Sequence, residues 1–131
     1  MPIDESRTFK AINIALLTVS DTRTLKEDTS GDILAQRIAA KGHDLIYRRL
    51  MRDDKAALVA QLHQWIDDKL VDVIITTGGT GLTGRDITPE TLDTVKSKDI
   101  PGFGELFRWL SMDKIGTSTV QSRACAVVAR G

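Results

Sequence analysis

The feature that most constrains this chain is a glycine-rich segment, residues 76–90, that directly follows a short apolar run. The run, residues 71–75, is rich in β-branched apolar residues and reads as a buried parallel strand. Four glycines fall within the seven positions from Gly78 to Gly84, just beyond that strand. Open α/β sheets bind ligands at the carboxyl ends of their strands, where a bare main chain can direct several N–H groups at an anion. The segment therefore predicts an anion site, most simply for a phosphate.

Length and composition exclude several classes of protein. The 131 residues are enough for one domain with a single core. Lys+Arg and Asp+Glu both number 18, and this balance argues against a general nucleic-acid binder. No apolar run approaches the roughly 18 residues of a membrane span, and the polar N-terminus lacks a signal-peptide core. With one cysteine and no intramolecular disulfide, we predict a cytoplasmic protein without nucleic-acid or membrane partners.

Alternating strand-like and helix-like segments predict a three-layer α/β/α fold with a mostly parallel central sheet. Residues 12–19 form a nearly all-apolar first strand, expected at the centre, and the more polar residues 44–50 form a second strand nearer an edge. We expect Thr29 or Ser30 to cap the first helix and Thr88 to cap the helix after the glycines. Residues 124–129 read as the start of a fourth strand. Residues 1–10 read as a flexible arm before a domain over 11–131.

The glycine segment formally matches the G-x-G-x-x-G pattern of dinucleotide-binding proteins. That fingerprint follows a first strand and opens a helix, whereas this match follows the third strand and Pro89 delays the helix. A Walker A loop is excluded because no lysine follows the glycines. A plain turn is the remaining alternative, although its glycines would lose conformational entropy on folding without any gain.

Two aspartates lie in loops that follow neighbouring predicted strands, Asp53 after the second and Asp86 after the third. Both loops fall at the same end of a parallel sheet, so the two carboxylates are expected to converge on the phosphate site. Such a pair suits Mg²⁺, which takes one or two carboxylates together with phosphate oxygens and waters. The alternative is that each is a turn or N-cap acid. Asp54 is expected to be either the functional member of its pair or an acid in the first turn of the following helix.

Other polar residues can serve the same anion. Ser20 and Asp21 end the first strand and offer hydroxyl and amide donors, with simple loop solvation as the alternative. Arg85 is interpreted as an anion clamp because a guanidinium group matches a phosphate. Ser122 and Arg123 are expected to act similarly near the fourth strand.

The remaining reactive or bulky residues are assigned structural roles. His43 and His63 have no zinc-like spacing and are predicted to be structural or solvated. Cys125 is predicted to be a small core residue. Trp109 falls off the apolar stripe of its helix, which begins at Pro101, and is interpreted as a subunit contact.

The chain resembles the MoaB/Mog family of molybdenum cofactor biosynthesis proteins, and its MoaB branch most closely. The resemblance extends over nearly the whole sequence from the first strand onward. It rests on six segments: TVSD at 18–21, DTSG at 28–31, TGGTG at 77–81, RDITPE at 85–90, PGFGELFR at 101–108 and IGTSTVQSRA at 115–124.

The resemblance implies a single MoaB/Mog-type domain that assembles as a trimer or hexamer. It implies an enzyme that binds molybdopterin and transfers AMP from Mg-ATP to its terminal phosphate, with release of pyrophosphate. The two aspartates that the family needs for catalysis and Mg²⁺ fall on Asp53 and Asp86. The residues expected to contact substrate are Ser20, Asp21, Thr77, Gly78, Gly79, Thr80, Gly81, Arg85, Thr88, Pro89 and Ser122.

Two alternatives to this enzyme stay open. One is a non-catalytic molybdopterin-binding oligomer for storage or hand-off, although retention of the Arg-Asp-x-Thr-Pro motif favours catalysis. The other is a related domain of nicotinamide-nucleotide repair proteins, which usually carry a second domain. The family continues past Gly131 with a further strand and helix, so we expect this sequence to be an incomplete copy of a longer protein.

Overall fold

A computed structural model describes residues 2–130. Its main sheet has three parallel strands, in the order β2-β1-β3: β1 (Asn13–Val19), β2 (Asp44–Met51) and β3 (Val73–Thr77). Four α-helices are present among these residues: α1 (Thr29–Ala40), α2 (Lys55–Asp67), α3 (Thr88–Val95) and α4 (Pro101–Ile115). A separate antiparallel pair consists of β4 (Lys98–Asp99) and β5 (Val127–Val128). Short 3-10 helices occupy Leu25–Glu27 and Gly116–Gln121.

Strand β1 is the centre of the molecule. It pairs with β2 on one side and with β3 on the other, and its Ala15, Leu16 and Leu17 are no more than 1% exposed. An uninterrupted apolar strand is stable only where both its faces are covered, which is why this segment takes the central position. The predicted order, with the first strand central and the more polar second strand at an edge, is confirmed.

Helices cover both faces of the sheet. Successive side chains of a strand point to opposite faces of the sheet. Ala15, Leu17 and Val19 of β1 therefore pack on α2, whereas the side chain of Thr18 points toward the start of α1. The predicted α/β fold with helices on both faces is confirmed. The main buried cluster consists of Ala15, Leu17, Val19, Leu58, Leu62 and Trp65.

Helix α1 is capped by Asp28, so the predicted cap at Thr29 or Ser30 is wrong. Asp28 accepts a hydrogen bond from the Gly31 N–H at 3.0 Å, and Thr29 and Ser30 already lie within the helix. The Asp28 carboxylate is fully buried. A Cβ on Gly31 would lie 2.0 Å from its Oδ2 atom, so the cap requires a glycine at this position.

Two strand predictions differ from the structure. Strand β3 is parallel, as predicted, but within residues 2–130 it begins at Val73 and pairs only with β1. Val73 is 39% exposed, so the prediction of a buried strand from residue 71 is wrong in its start and its burial. The fourth strand of the parallel sheet, predicted over 124–129, is also wrong, because only Val127 and Val128 form a strand and their partner is antiparallel β4. Apolar runs predict that a strand exists but not which strand it pairs with.

Helix α4 begins at Pro101 as predicted, but its apolar stripe is not part of the core. Phe103, Leu106, Phe107 and Leu110 are between 44% and 56% exposed, and Trp109 is 71% exposed. Contiguous exposed apolar side chains of this size mark interaction surfaces rather than ordinary solvent-facing helices.

Residues 2–10 form no helix or strand and are exposed. The division into an arm over 1–10 and a domain over 11–131 stays a prediction, and Met1 and Gly131 lie outside the described residues. Among the helices of residues 2–130, none has the length and hydropathy needed to traverse a lipid bilayer.

Candidate functional site

The glycine loop, residues 78–87, joins β3 to α3 at the carboxyl edge of the sheet. Gly78 has φ +95° and Gly79 has φ +70°, a region that residues with a Cβ rarely adopt. The chain here also lies directly on the end of β1, because a Cβ on Gly78 would be 2.2 Å from the Val19 carbonyl oxygen. Both positions therefore require glycine, and the plain-turn alternative does not explain so close an approach to the strand ends.

Thr88 fixes the other end of the loop. Its hydroxyl donates to the Gly78 carbonyl at 2.7 Å, and its N–H donates to the Gly79 carbonyl at 3.0 Å. Thr88 is the first residue of α3 and not its cap, so the predicted capping role is wrong. Pro89 follows in the first helical turn, where its missing N–H leaves no helical hydrogen bond unmade.

Two predicted site residues from separate strands meet beside this loop. Asp21 follows β1 and Asp53 follows β2, and the Asp53 N–H donates to Asp21 Oδ1 at 3.0 Å. Asp53 Oδ1 would lie 3.4 Å from a Cβ on Gly79, so Asp53 borders the glycine loop. Arg85 approaches from the loop itself, with its Nε 3.7 Å from Asp21 Oδ2. The three loops thus converge at one edge, as the parallel topology predicts.

The two neighbouring carboxyl groups differ in acidity. Burial raises the pKa of Asp53, and the adjacent charge of Asp21 and the more distant charge of Asp86 raise it further. The hydrogen bond from the Asp53 N–H lowers the pKa of Asp21. Arg85, whose side chain is 76% exposed, offsets only part of this negative charge. A cation bound at this edge would therefore be stabilised by Asp53.

Asp86 is held in place by its own loop. Its Oδ2 accepts hydrogen bonds from the Thr83 N–H at 3.0 Å and the Thr83 hydroxyl at 2.7 Å. These two bonds lower the pKa of Asp86, with the hydroxyl making the larger contribution. A Cβ on Gly81 would lie 2.6 Å from Asp86 Oδ2, so Asp86 borders the glycine loop, as Asp53 does.

Within residues 2–130, no three His, Cys, Asp or Glu side chains are grouped to hold a metal ion. A metal held entirely by protein ligands does not fit this arrangement. Mg²⁺ does, because it keeps several waters and needs only one or two carboxylates when substrate phosphates complete its shell. Asp53 and Asp86 are the residues that would hold it.

Two cavities flank the strand end at Thr77 and Gly78. One, of about 370 Å³, is lined largely by polar groups that include Ser20, Thr22, Arg23, Ser30 and Thr77. The other, of about 340 Å³, lies beside β3 and has apolar and aromatic walls formed by Ile75, Leu92, Phe103 and Phe107. Both fall in the size range of small-molecule pockets, about 300–1,000 Å³.

Ser122 and Cys125 lie in the segment that precedes β5. Ser122 lies outside the lining of both cavities, and its hydroxyl accepts a hydrogen bond from the Ala124 N–H at 3.3 Å. Its contact with substrate stays a prediction. Cys125 is exposed and lines the apolar cavity, so its assignment to the core is wrong.

His43 has a structural role and His63 is exposed to solvent, as predicted, whereas Asp54 is the N-cap of α2 and not an acid within its first turn. His43 Nδ1 accepts a hydrogen bond from the Ile12 N–H at 3.2 Å, and His63 is exposed on α2. Asp54 caps α2 by accepting from the Ala57 N–H at 3.2 Å, which leaves Asp53 as the member of the pair that faces the glycine loop.

Arg123 does not have the anion-binding role that the sequence predicts. It was predicted to bind an anion, but its guanidinium donates to the carbonyl oxygens of Gly81 and Asp86 in the glycine loop. These partners lie 42 and 37 residues away along the chain, so no local pattern could have identified them.

Comparisons with known proteins agree with this geometry. Residues 15–129 match a family model described as "Probable molybdopterin binding domain". Molybdenum cofactor biosynthesis protein B of Escherichia coli K12 is 44% identical over 124 residues, which cover 95% of this chain and 73% of that protein. A crystal structure of a molybdenum cofactor biosynthesis protein B aligns with a TM-score of 0.85 at 38% identity, covering 91% of this chain and 74% of that chain.

A relative named for tungsten instead of molybdenum shares the fold. The tungsten cofactor synthesizing protein MoaB from Pyrococcus furiosus aligns with a TM-score of 0.81 at 35% identity, covering 95% of this chain and 77% of that chain. The family match includes β1 from Ala15 onward, the loops that carry Asp21 and Asp53, and the complete glycine loop. This chain therefore belongs to the molybdopterin-binding domain family of molybdenum cofactor biosynthesis proteins.

Proposed function

We propose that this chain acts in molybdenum cofactor biosynthesis as a molybdopterin adenylyltransferase, which transfers AMP from Mg-ATP to the terminal phosphate of molybdopterin. The observation that carries the proposal is the convergence of the glycine loop, Asp21, Asp53 and Arg85 at one edge of the sheet. This edge combines main-chain donors, a guanidinium group and acidic side chains, which are the groups that phosphate transfer requires.

The cavities support a division of the substrate between two environments. The cavity with Ser20, Thr22, Ser30 and Arg23 offers hydroxyl donors and a cation, which suit a terminal phosphate. The apolar cavity with Phe103 and Phe107 suits a flat heterocycle such as a pterin. Thr77 and Gly78 border both cavities, so one ligand could occupy the two across the glycine loop.

In the proposed reaction an oxygen of the molybdopterin phosphate attacks the α-phosphorus of ATP, and the bond from that phosphorus to the bridging oxygen breaks. The leaving group is pyrophosphate, and the product is adenylylated molybdopterin. Mg²⁺ held by Asp53 and Asp86 would neutralise charge on the ATP phosphates. Arg85 and the glycine-loop amides would orient the pterin phosphate, so the protein supplies alignment and charge stabilisation and needs no side-chain nucleophile.

We further propose that the chain self-associates as a trimer or hexamer. The exposed apolar side chains of α4, with Trp109 at 71% exposure, support this proposal. Large apolar groups on a helix surface are stabilised when a second copy covers them.

The test is pyrophosphate release from ATP, measured with and without molybdopterin and with and without Mg²⁺. We expect release only when all components are present, and we expect Asp53→Asn and Asp86→Asn to lose about 10²–10³-fold in kcat. Asp67→Asn is the matched control, because Asp67 pairs with Arg130 on the surface and should keep wild-type activity.

Two outcomes would contradict the transferase. Molybdopterin binding without any pyrophosphate release would favour the non-catalytic storage or hand-off protein instead. Near-wild-type turnover in Asp86→Asn would remove the proposed role of its carboxylate.

A further inference from the structure

Arg123, which lies outside the glycine loop in the sequence, makes three hydrogen bonds to it. Its backbone N–H donates to the Thr80 carbonyl at 2.9 Å. Its Nε donates to the Gly81 carbonyl at 2.7 Å, and its Nη2 donates to the Asp86 carbonyl at 2.6 Å. One residue therefore binds both the beginning and the end of the 80–86 segment.

The same guanidinium is anchored to α3. Its Nη1 forms an ion pair with Glu90, in the first turn of that helix. Glu90 raises the pKa of Arg123, and Arg123 in turn lowers the pKa of Glu90. With its charge neutralised and its donors directed at protein oxygens, Arg123 is poorly suited to bind a substrate phosphate.

Apart from the largely exposed ion pair between Arg85 and Asp21, the 80–86 segment has little other support. It contains no helix or strand, and Leu82 at its centre is 67% exposed. Its internal bonds run between Thr83 and Asp86, so they close the turn without attaching it to the rest of the domain. The turn that carries Arg85 and Asp86 is attached to α3 and to the chain before β5 through Arg123.

We propose that Arg123 and Glu90 form a positioning pair that fixes the 80–86 segment and thereby holds the Asp86 carboxylate on the glycine loop, which Asp53 also borders. Lysine cannot replace this arginine, because only the planar guanidinium has donors that reach several acceptors in fixed directions at once. The catalytic part of this inference rests on the proposed adenylyl transfer, whereas the positioning part does not.

The first test is amide hydrogen exchange measured by mass spectrometry. The N–H groups of Thr83 and Asp86 are both hydrogen-bonded in the folded protein and should be protected. In Arg123→Ala and Arg123→Lys we expect peptides over 80–87 to exchange about tenfold faster or more, since charge-assisted hydrogen bonds are lost. Peptides from β1 should be unchanged. Wild-type exchange over 80–87 in both variants would overturn the proposal.

The second test separates positioning from a general loss of folded protein. We expect Arg123→Ala to raise the Mg²⁺ concentration for half-maximal pyrophosphate release about tenfold or more, because Asp86 is no longer held. Molybdopterin affinity without ATP should fall as well, because the 80–86 segment carries Arg85 and the loop amides that orient the pterin phosphate. Glu90→Gln, which keeps a hydrogen-bond acceptor, should shift the Mg²⁺ half-saturation less than Arg123→Ala does.

Control measurements distinguish failure of the positioning proposal from failure of the proposed adenylyl transfer. Arg130→Ala removes an exposed arginine whose partner is Asp67, and it should match wild type in both tests. A merely structural role for Arg123 would lower kcat in proportion to the unfolded fraction and leave Mg²⁺ half-saturation unchanged, which would overturn the catalytic part. If the wild-type protein releases no pyrophosphate, the proposed function fails, and hydrogen exchange alone decides the positioning claim.

Discussion

Replacing Gly78 with alanine tests whether the glycine loop must lie directly on the end of β1. The new Cβ would be 2.2 Å from the Val19 carbonyl oxygen, a backbone atom that cannot rotate away. The residue would also have to hold φ near +95°. We therefore expect Gly78→Ala to destabilise the native loop more than any alanine placed elsewhere in the segment.

The expected loss in stability has two contributions, the strained backbone conformation and the close contact with the Val19 carbonyl. An L-residue in a left-handed conformation costs about 1–2 kcal/mol. Relieving the contact by moving backbone costs about 1–3 kcal/mol. The sum, about 2–5 kcal/mol, corresponds to a fall in Tm of about 7–18 °C for a domain of this length.

Gly84→Ala is the matched control. A Cβ on Gly84 would have no neighbour within 4 Å, and its φ is not positive. The same substitution there should be neutral, or stabilise by about 0.4–1 kcal/mol through the unfolded chain. The assay is thermal and urea denaturation of both variants, followed by molybdopterin titration of the folded protein.

The two measurements together decide the outcome. If the loop shifts instead of unfolding, the loss in stability becomes smaller and the loss in molybdopterin affinity larger. Gly78→Ala with the stability and the affinity of Gly84→Ala would refute the claim that this backbone contact shapes the site.

Two further predictions concern the rest of the molecule. Burial acts to raise the pKa of Asp28, but the hydrogen bonds from Thr18, Gly31 and Arg48 outweigh this effect, so the pKa is lowered. Asp28 therefore stabilises the fold at pH values above about 3.9, the pKa of an unfolded aspartate. Asp28→Asn should lower the free energy of unfolding by about 1–3 kcal/mol at neutral pH, and urea midpoints should show this difference shrinking as the pH falls through the folded pKa. Trp109→Glu, which places a charge on the exposed face of α4, should reduce the molar mass measured by light scattering to that of a smaller oligomer or monomer. An unchanged mass would exclude Trp109 from the subunit contact.

Much of the fold could be predicted because its main signals are local. The apolar run at 12–19 can be stable only in a central position, and the parallel topology that follows brings the loops of Asp21 and Asp53 to one edge. This placement of loops could be predicted because it depends on strand order and not on side-chain detail.

The errors came from choices that local sequence leaves open. Asp28, Thr29 and Ser30 are all good cap residues, and only the buried surroundings of Asp28 select it. An apolar run at 71–75 does not reveal that, in the described part of the chain, β3 pairs with β1 alone. The role of Arg123 depends on contacts across about forty residues, which spacing alone cannot show.

The most direct test of the account follows the α-phosphorus of ATP. The protein is incubated with molybdopterin, Mg²⁺ and ATP radiolabelled at either the α- or the γ-phosphorus, and the pterin fraction is then isolated. We predict that the α-label appears in the pterin, that the γ-label appears only in pyrophosphate, and that Asp86→Asn abolishes the transfer. Absence of α-label from the pterin, or transfer of the γ-label to it, would contradict adenylyl transfer at this site.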